Sequence, residues 1–379
     1  MIKTVELIGK LNFIRDFWNH YVLEYQFCQK KIRFDDDIKT NYIGIIFGYF
    51  DDTFDLLSFS KSNTQPNFSY QISLLQTIYV QQDFIEQMLY IFKCRKDGDL
   101  IDKSKLKVNS NYSINREIRN ELIGHPIRMN KGQLISASLF GYDTTSFTIS
   151  YSRYHKENNH NFEHKKEEVS DILRRHSNFI NEYFDIIIQK VKTILEAFEK
   201  NLDDVKRFLN NKNFESLINI LSIKYESIFD YNYNYEPNNL KLIYSNREKH
   251  LRYKNLIDKF YFDLVESLTE KIESTKHLQT WQYISKQETF VEPYGSILKF
   301  IDIEPESTNK IKRSYQYELS KLANRDFDSF NFNSEILKSN FSENKLVIDE
   351  LNHMKNHFNN EIEYYCSYYL LYKTIKANS

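Results

Sequence analysis

The stretch His164-Lys-Lys-Glu-Glu-Val169-Ser-Asp-Ile-Leu173-Arg-Arg-His176-Ser-Asn-Phe-Ile180-Asn-Glu-Tyr183-Phe-Asp-Ile-Ile187-Ile-Gln-Lys-Val191-Lys-Thr-Ile194-Leu-Glu-Ala-Phe198-Glu-Lys-Asn-Leu202-Asp-Asp-Val205-Lys-Arg-Phe-Leu209 decides the fold class. Val169, Leu173, His176, Ile180, Tyr183, Ile187, Val191, Ile194, Phe198, Leu202, Val205 and Leu209 recur at threes and fours, which is the period of one helix face. This predicts one very long helix or two nearly collinear ones. The rest of the chain agrees: only 8 Gly and 5 Pro punctuate 379 residues, and scarce turn formers favour long helices over a many-turned sandwich or barrel. The expected class is mainly α, an antiparallel helical bundle with long helices and one inserted β-hairpin.

Upstream, the same period predicts helices over 5–32, 37–57 and 67–93, with a polar loop at 60–66. On the third of these Leu75, Ile78, Ile85, Leu89 and Phe92 form the apolar stripe, and Gln82 and Glu86 interrupt its edge. A short helix over 114–123, with Ser113 as N-cap, ends at Gly124-His125-Pro126. The alternation in 134–140 and 147–154 around Gly-Tyr-Asp-Thr reads as a hairpin, at about 134–154. Downstream, helices are expected over 214–229 and 254–277, an irregular stretch over 287–303, and a terminal helix of about 34 residues from Ser342, roughly 50 Å long. The most natural domain boundary is 210–213, giving a region 1–210 and a helical region 211–379.

Composition excludes several classes. Hydrophobic residues make up 41% and charged residues 27% of the chain, a globular and not a disordered balance. A net charge of -1 supplies no global positive field, so any RNA contact must rest on a local basic patch. Cys28, Cys94 and Cys366 are an odd, widely spaced set that fits neither a disulfide framework nor a zinc motif. No apolar run is long enough to span a bilayer, and the first residues lack the layout of a secretory signal. A cytoplasmic protein with no membrane partner and no cofactor is expected. No phosphate-binding glycine loop or nucleophile elbow occurs. His353 and His357, four apart, and His155, His160 and His164 in a polar stretch are expected to be solvated rather than metal-binding.

One constellation carries chemistry: Asn115-Arg-Glu-Ile-Arg119-Asn120-Glu-Leu-Ile-Gly-His125-Pro126. Gly124 suits a left-handed helix cap and Pro126 drives His125 out of the α region, so the imidazole can turn back toward Arg119. A guanidinium binds phosphate oxygens in bidentate fashion and stays charged. A histidine exchanges protons near neutrality. Together they suit RNA cleavage by 2′-hydroxyl attack on the adjacent phosphate, with Asn120 orienting one of the two. Arg116 and Arg128, with Lys165-Lys166 and Arg174-Arg175, are candidates for the basic patch RNA needs.

Arg119-Asn120 followed by His125, at the end of a short helix after a long one, resembles the Arg-polar-x(3 to 5)-His signature of HEPN domains over roughly the first 210 residues. The resemblance implies an all-α bundle that dimerises so that two motifs face each other, and metal-independent endoribonuclease activity on RNA, tRNA included. It also implies a place in toxin-antitoxin or antiviral defence, with an antitoxin or defence protein as partner. It further implies that a polar residue on the preceding long helix supports the arginine, for which Gln82 and Glu86 are the candidates. Some members of the family only bind, so the alternative is a non-catalytic helical scaffold or interaction protein whose long aromatic-striped helices pack against a partner.

Overall fold

The computed structural model describes residues 4–39, 41–57, 68–130, 132–139, 147–209, 213–219, 237–283 and 315–378. Over these the chain is mainly helical with a small antiparallel sheet. It divides into two units, the first holding Met1–Glu199 and the stretch that begins at Lys276. The division therefore falls inside the long helix rather than at 210–213.

In the first unit, α1 (Thr4–Phe17) runs on as a wider π turn through Val22. The single helix expected over 5–32 is broken there, because Tyr25 is extended (φ −125°, ψ 115°) and only the short α2 (Gln26–Gln29) follows. Next come α3 (Tyr42–Thr53) and α4 (Phe68–Ile91); the loop expected at 60–66 lies outside the described residues. A tight hairpin pairs β1 (Arg95–Lys96) with β2 (Asp99–Leu100). Its turn uses Asp97 and Gly98 at φ +54° and +88°, a conformation glycine takes without steric cost. Then follow α5 (Lys103–Val108), capped by Asp102, and α6 (Ser110–Arg119), capped by Asn109 through Asn111 N–H. The cap expected at Ser113 is thus one turn too late.

The expected hairpin is the middle pair of a four-stranded meander, β3 (Ile127–Asn130), β4 (Gln133–Leu139), β5 (Thr148–His155) and β6 (Phe162–Glu168), in the order β3-β4-β5-β6. Its Gly141–Thr144 turn lies outside the described residues. Ile135, Ala137, Ile149 and Tyr151 alternate along β4 and β5 and are buried, as the two-residue period of a strand requires. The long helix expected from His164 thus starts only at Val169, and 164–168 belong to β6; Glu-His-Lys-Lys-Glu-Glu carries no apolar alternation that would mark a strand. A charged edge strand of that kind resists pairing with another chain.

The long helix α7 (Val169–Leu209) is continuous. Its buried face meets several partners: Phe179 lies against Tyr112 of α6, Phe184 against Phe50 of α3, and Phe198 against Tyr21, with ring centroids 5.4, 5.7 and 5.8 Å apart. Each fully buried aromatic or large aliphatic side chain contributes about 1.5–3 kcal/mol of transfer free energy. The face therefore outweighs the modest propensity of the isolated helix.

In the second unit, residues 214–219 are helical and 220–229, also expected to be helical, lie outside the described residues, as does the irregular stretch expected over 287–303. α8 (Pro237–Ser245) and α9 (Leu251–Gln279) follow. Phe214, Ile218, Ile243, Tyr253, Ile257 and Cys366 form one buried cluster. α10 (Gln316–Ala323), α11 (Phe327–Asn340), α12 (Lys345–Asn356) and α13 (Glu361–Asn378) enclose a second around Leu322, Phe330, Leu351 and Tyr364. The single terminal helix expected from Ser342 is in fact the pair α12 and α13. Asn360 breaks it, its side chain accepting from Glu363 N–H at 3.2 Å and its carbonyl from Tyr364 N–H at 2.9 Å. The Asn-x-x-Glu pattern of a helix start is present there, masked by the unbroken apolar period. Among the described residues no helix is long and apolar enough to cross a membrane.

Candidate active site

The motif helix is set against α4 by a stripe of polar side chains adjacent to the apolar one. Gln76, Tyr79, Asp83 and Glu86 are spaced three and four apart, so they share one face of α4, and each meets a cation. Arg119 Nε and Nη2 donate to Gln76 Oε1 at 3.2 and 2.9 Å, and its Cζ lies 3.9 Å from the centre of the Tyr79 ring. Arg116 lies 4.1 Å from the same ring and pairs with Asp83 at 2.8 Å. Lys103 reaches Glu86 at 3.5 Å.

This arrangement corrects two expectations. Gln82 is not at the edge of the α4 stripe but fully buried in it, where its Nε2 donates to the Tyr112 carbonyl, and Glu86 serves Lys103; neither makes a hydrogen bond or ion pair with Arg119. The residue that holds the arginine is Gln76, six positions before Gln82. Its signal was in the sequence: 76, 79 and 83 repeat at helical spacing one position beyond Leu75, Ile78 and Gln82. Second, Arg116 and Arg128 are compensated rather than open to solvent. Arg116 is tied to Asp83, and Arg128 lies 3.8 Å from Glu121, which also takes Arg153 at 2.9 Å. Of the more distant candidates, Arg174 pairs with Asp171, while Arg175 donates to Asn115 and Glu167.

Arg119 itself has no carboxylate within ion-pairing distance among the described residues. Its acceptors are neutral amide oxygens, Gln76 and, from Nη1 at 3.1 Å, Asn120 Oδ1. The guanidinium is thus oriented by three hydrogen bonds and a ring face while keeping its full charge.

After Arg119 the helix does not stop in a left-handed cap. It widens into a π turn over Asn120–Gly124, closed by a 2.7 Å bond from His125 N–H to the Asn120 carbonyl. The positive-φ glycines among the described residues are Gly98 and Gly132, not Gly124. Gly124 matters for a different reason: a Cβ there would stand 2.4 Å from Arg119 Nη1, which would have to shift. The guanidinium therefore lies against the backbone of the residue that immediately precedes His125. His125 leaves the helix at φ −144°, ψ 65°, consistent with the restriction Pro126 imposes. Its imidazole is exposed and makes no hydrogen bond or ion pair with a described residue. π turns of this kind recur at functional sites.

The turn is anchored on its far side. Glu121, buried beneath the sheet, accepts from the Tyr151 hydroxyl at 3.4 Å and pairs with Arg153. Burial, with Glu121 beside it, pushes the Tyr151 phenol upward. The Pro126 carbonyl accepts from Ala137 N–H at 2.7 Å and starts the sheet. Asn115, fully buried on α6, donates to the Ile172 carbonyl of α7 at 2.9 Å and accepts from Arg175. Arg119, Asn120 and the His125 backbone are thereby brought together on a braced frame; Gln82, Glu86, Arg116 and Arg128 serve that frame. No protein-family model, curated protein or solved structure matches the chain.

Proposed function

We propose that the chain is a metal-independent endoribonuclease of the HEPN type, in which α1, α3, α4, α6 and α7 form the antiparallel bundle that type implies. The observation that carries the reading is the Arg119 guanidinium: oriented by Gln76, Tyr79 and Asn120, left without a carboxylate among the described residues, and laid against Gly124, which immediately precedes the exposed His125. A cation held in place without being neutralised is pre-organised to stabilise charge that develops in a transition state.

In this reaction the RNA 2′-hydroxyl loses its proton and attacks the adjacent phosphorus. Arg119 holds the equatorial phosphate oxygens. The P–O5′ bond breaks and O5′ takes a proton, leaving a 2′,3′-cyclic phosphate and a 5′-hydroxyl. His125 moves one of these protons. A second copy of the chain, in a homodimer, supplies the other imidazole. The biological setting that fits is a toxin or antiphage effector, paired with an antitoxin or defence protein and acting on cellular RNA such as tRNA.

The test is cleavage of total RNA and tRNA by the purified chain in excess EDTA, with His125→Ala and Arg119→Ala beside it. Cyclic-phosphate ends, with cleavage reduced at least about a hundredfold in either variant and folding intact, support the nuclease. The compensation of Arg116 and Arg128 favours the second reading, a non-catalytic binding module. Absence of cleavage in all three proteins would select it.

A further inference from the structure

The register of the sheet lays a row of side chains across all four strands. Ile127 is opposite Ser136, Ser136 opposite Tyr154, and Tyr154 opposite Phe162. Residues directly paired in an antiparallel sheet point to the same side. This row lies on the side away from Ile135, Ala137, Ile149 and Tyr151, which alternate with it and are buried.

Toward Ser138, Ser150, Lys166 and Glu168 this side is polar, as a solvated sheet face should be, but the end that holds the row is largely apolar. Ile127, Tyr154 and Phe162 are 68%, 38% and 63% exposed. The aromatic members are clustered: the Tyr154 ring centre lies 5.5 Å from that of Phe162 and 5.6 Å from the His160 imidazole. His160 reaches that position because Asn159 and His160 turn back at φ +52° and +56°, in the left-handed region that Asn and His enter more readily than most residues. Lys156 makes no ion pair with a described residue, and with His160, Asn159, Leu134 and Glu157, whose carboxylate accepts from Gln133 Nε2 at 2.9 Å, it borders an open cavity of about 560 Å³.

We propose that this face is a stacking platform for the unpaired bases of single-stranded RNA, with Tyr154 and Phe162 each taking a base and Lys156 a phosphate. Clustered exposed rings on an antiparallel sheet, with a cation at their border, match the π faces and phosphates of an unpaired strand. The cation on offer is local, the Lys156 ammonium with the Glu157 carboxylate held by Gln133, as expected of a chain of net charge -1. Edge-to-edge pairing with a second copy is disfavoured because β6 carries Glu163, Lys165, Lys166, Glu167 and Glu168 along its edge. The platform is continuous with the motif: Ile127 follows His125 by two residues, and at ~4.8 Å per strand Tyr154 and Phe162 lie roughly 10 and 14 Å across the sheet from β3. The choice of RNA as occupant rests on the ribonuclease reading of Arg119 and His125.

The experiment is fluorescence anisotropy of a labelled single-stranded RNA oligonucleotide with the full chain carrying His125→Ala, so that cleavage does not interfere. Added Tyr154→Ala or Phe162→Ala is expected to weaken binding on the order of ten- to a hundredfold. Phe162→Leu, which keeps the apolar surface but removes the ring, loses nearly as much, Phe162→Trp restores it, and an RNA duplex competes poorly. No binding by the parent, or equal binding by Phe162→Leu and Phe162, overturns the platform. A dimer that dissociates in Tyr154→Ala while RNA binding is unchanged also overturns it and makes the face a protein interface. The two readings fail separately. Cleavage that proceeds with unchanged KM in Phe162→Ala sinks the platform alone; ring-dependent binding by a chain that never cleaves sinks the nuclease alone.

Discussion

Gln76 is the residue whose chemistry says most about Arg119. A carboxylate in its place would give a stronger, charge-assisted contact, so the neutral amide sacrifices stability and leaves the cation uncompensated. Gln76→Glu is therefore expected to raise stability by up to ~1 kcal/mol while lowering RNA cleavage on the order of tenfold or more. Chemical denaturation and a cleavage assay on the same preparation check both signs, and loss of stability together with activity would mark Gln76 as merely structural. Gly124 argues the same point from shape. The atom a Cβ would meet at 2.4 Å is the far end of the Arg119 side chain, which moves more readily than backbone. Gly124→Ala is expected to keep the fold, with unfolding free energy changed by less than ~1 kcal/mol, and to lose about ten- to a hundredfold in cleavage because the guanidinium is displaced. A melting curve beside the assay separates the two effects.

Among the elements, α4 is the one on which the site is built, and it shows how much was legible. Its existence and its apolar stripe were readable from period and residue type, while the pairing of Arg119 with a polar residue upstream was implied only by the HEPN resemblance. The identity of that residue was not readable from either. A period defines faces only to within about a third of a turn, so rows beginning at 75 and at 76 are both plausible until α6 is docked. The same docking buries a polar layer: Gln81 bridges the Thr53 hydroxyl and His176 Nε2, at 2.8 and 2.7 Å, tying α3, α4 and α7 together. His176 is fully buried, and burial lowers its pKa to about 3. In the unfolded chain a histidine titrates near 6.5. Between those values the unfolded state binds a proton that the folded state does not. Stability from this group is thus complete above about pH 6.5 and falls by up to ~1.4 kcal/mol per unit as pH drops below it. Urea midpoints at pH 7 and pH 5.5 are expected to diverge by more in the natural protein than in His176→Gln, and equal divergence would show that His176 titrates in the folded state.

For the whole molecule, the proposed homodimer makes a prediction that the single chain does not. If the catalytic centre is shared between copies, mixing inactive Arg119→Ala and His125→Ala chains under conditions that allow exchange restores cleavage above either alone, whereas additive inactivity would confine the centre to one chain. The α12 and α13 pair shows why reach is poorly read at this scale. The apolar period runs through Phe358 without interruption, yet Asn360 caps a new helix, and a rod of roughly 50 Å becomes two packed helices. The sequence by itself determined the mainly helical class, the buried face of α7 and the stop at Gly124-His125-Pro126, because each follows from spacing along one chain segment. Only the tertiary structure decided that Gln76 holds Arg119, that Asp83 and Glu121 neutralise Arg116 and Arg128, and that a charged segment forms the edge strand exposing Tyr154 and Phe162. Those facts depend on which faces meet, and contact between segments distant in sequence is set by shape and partner charge, which local periodicity does not encode.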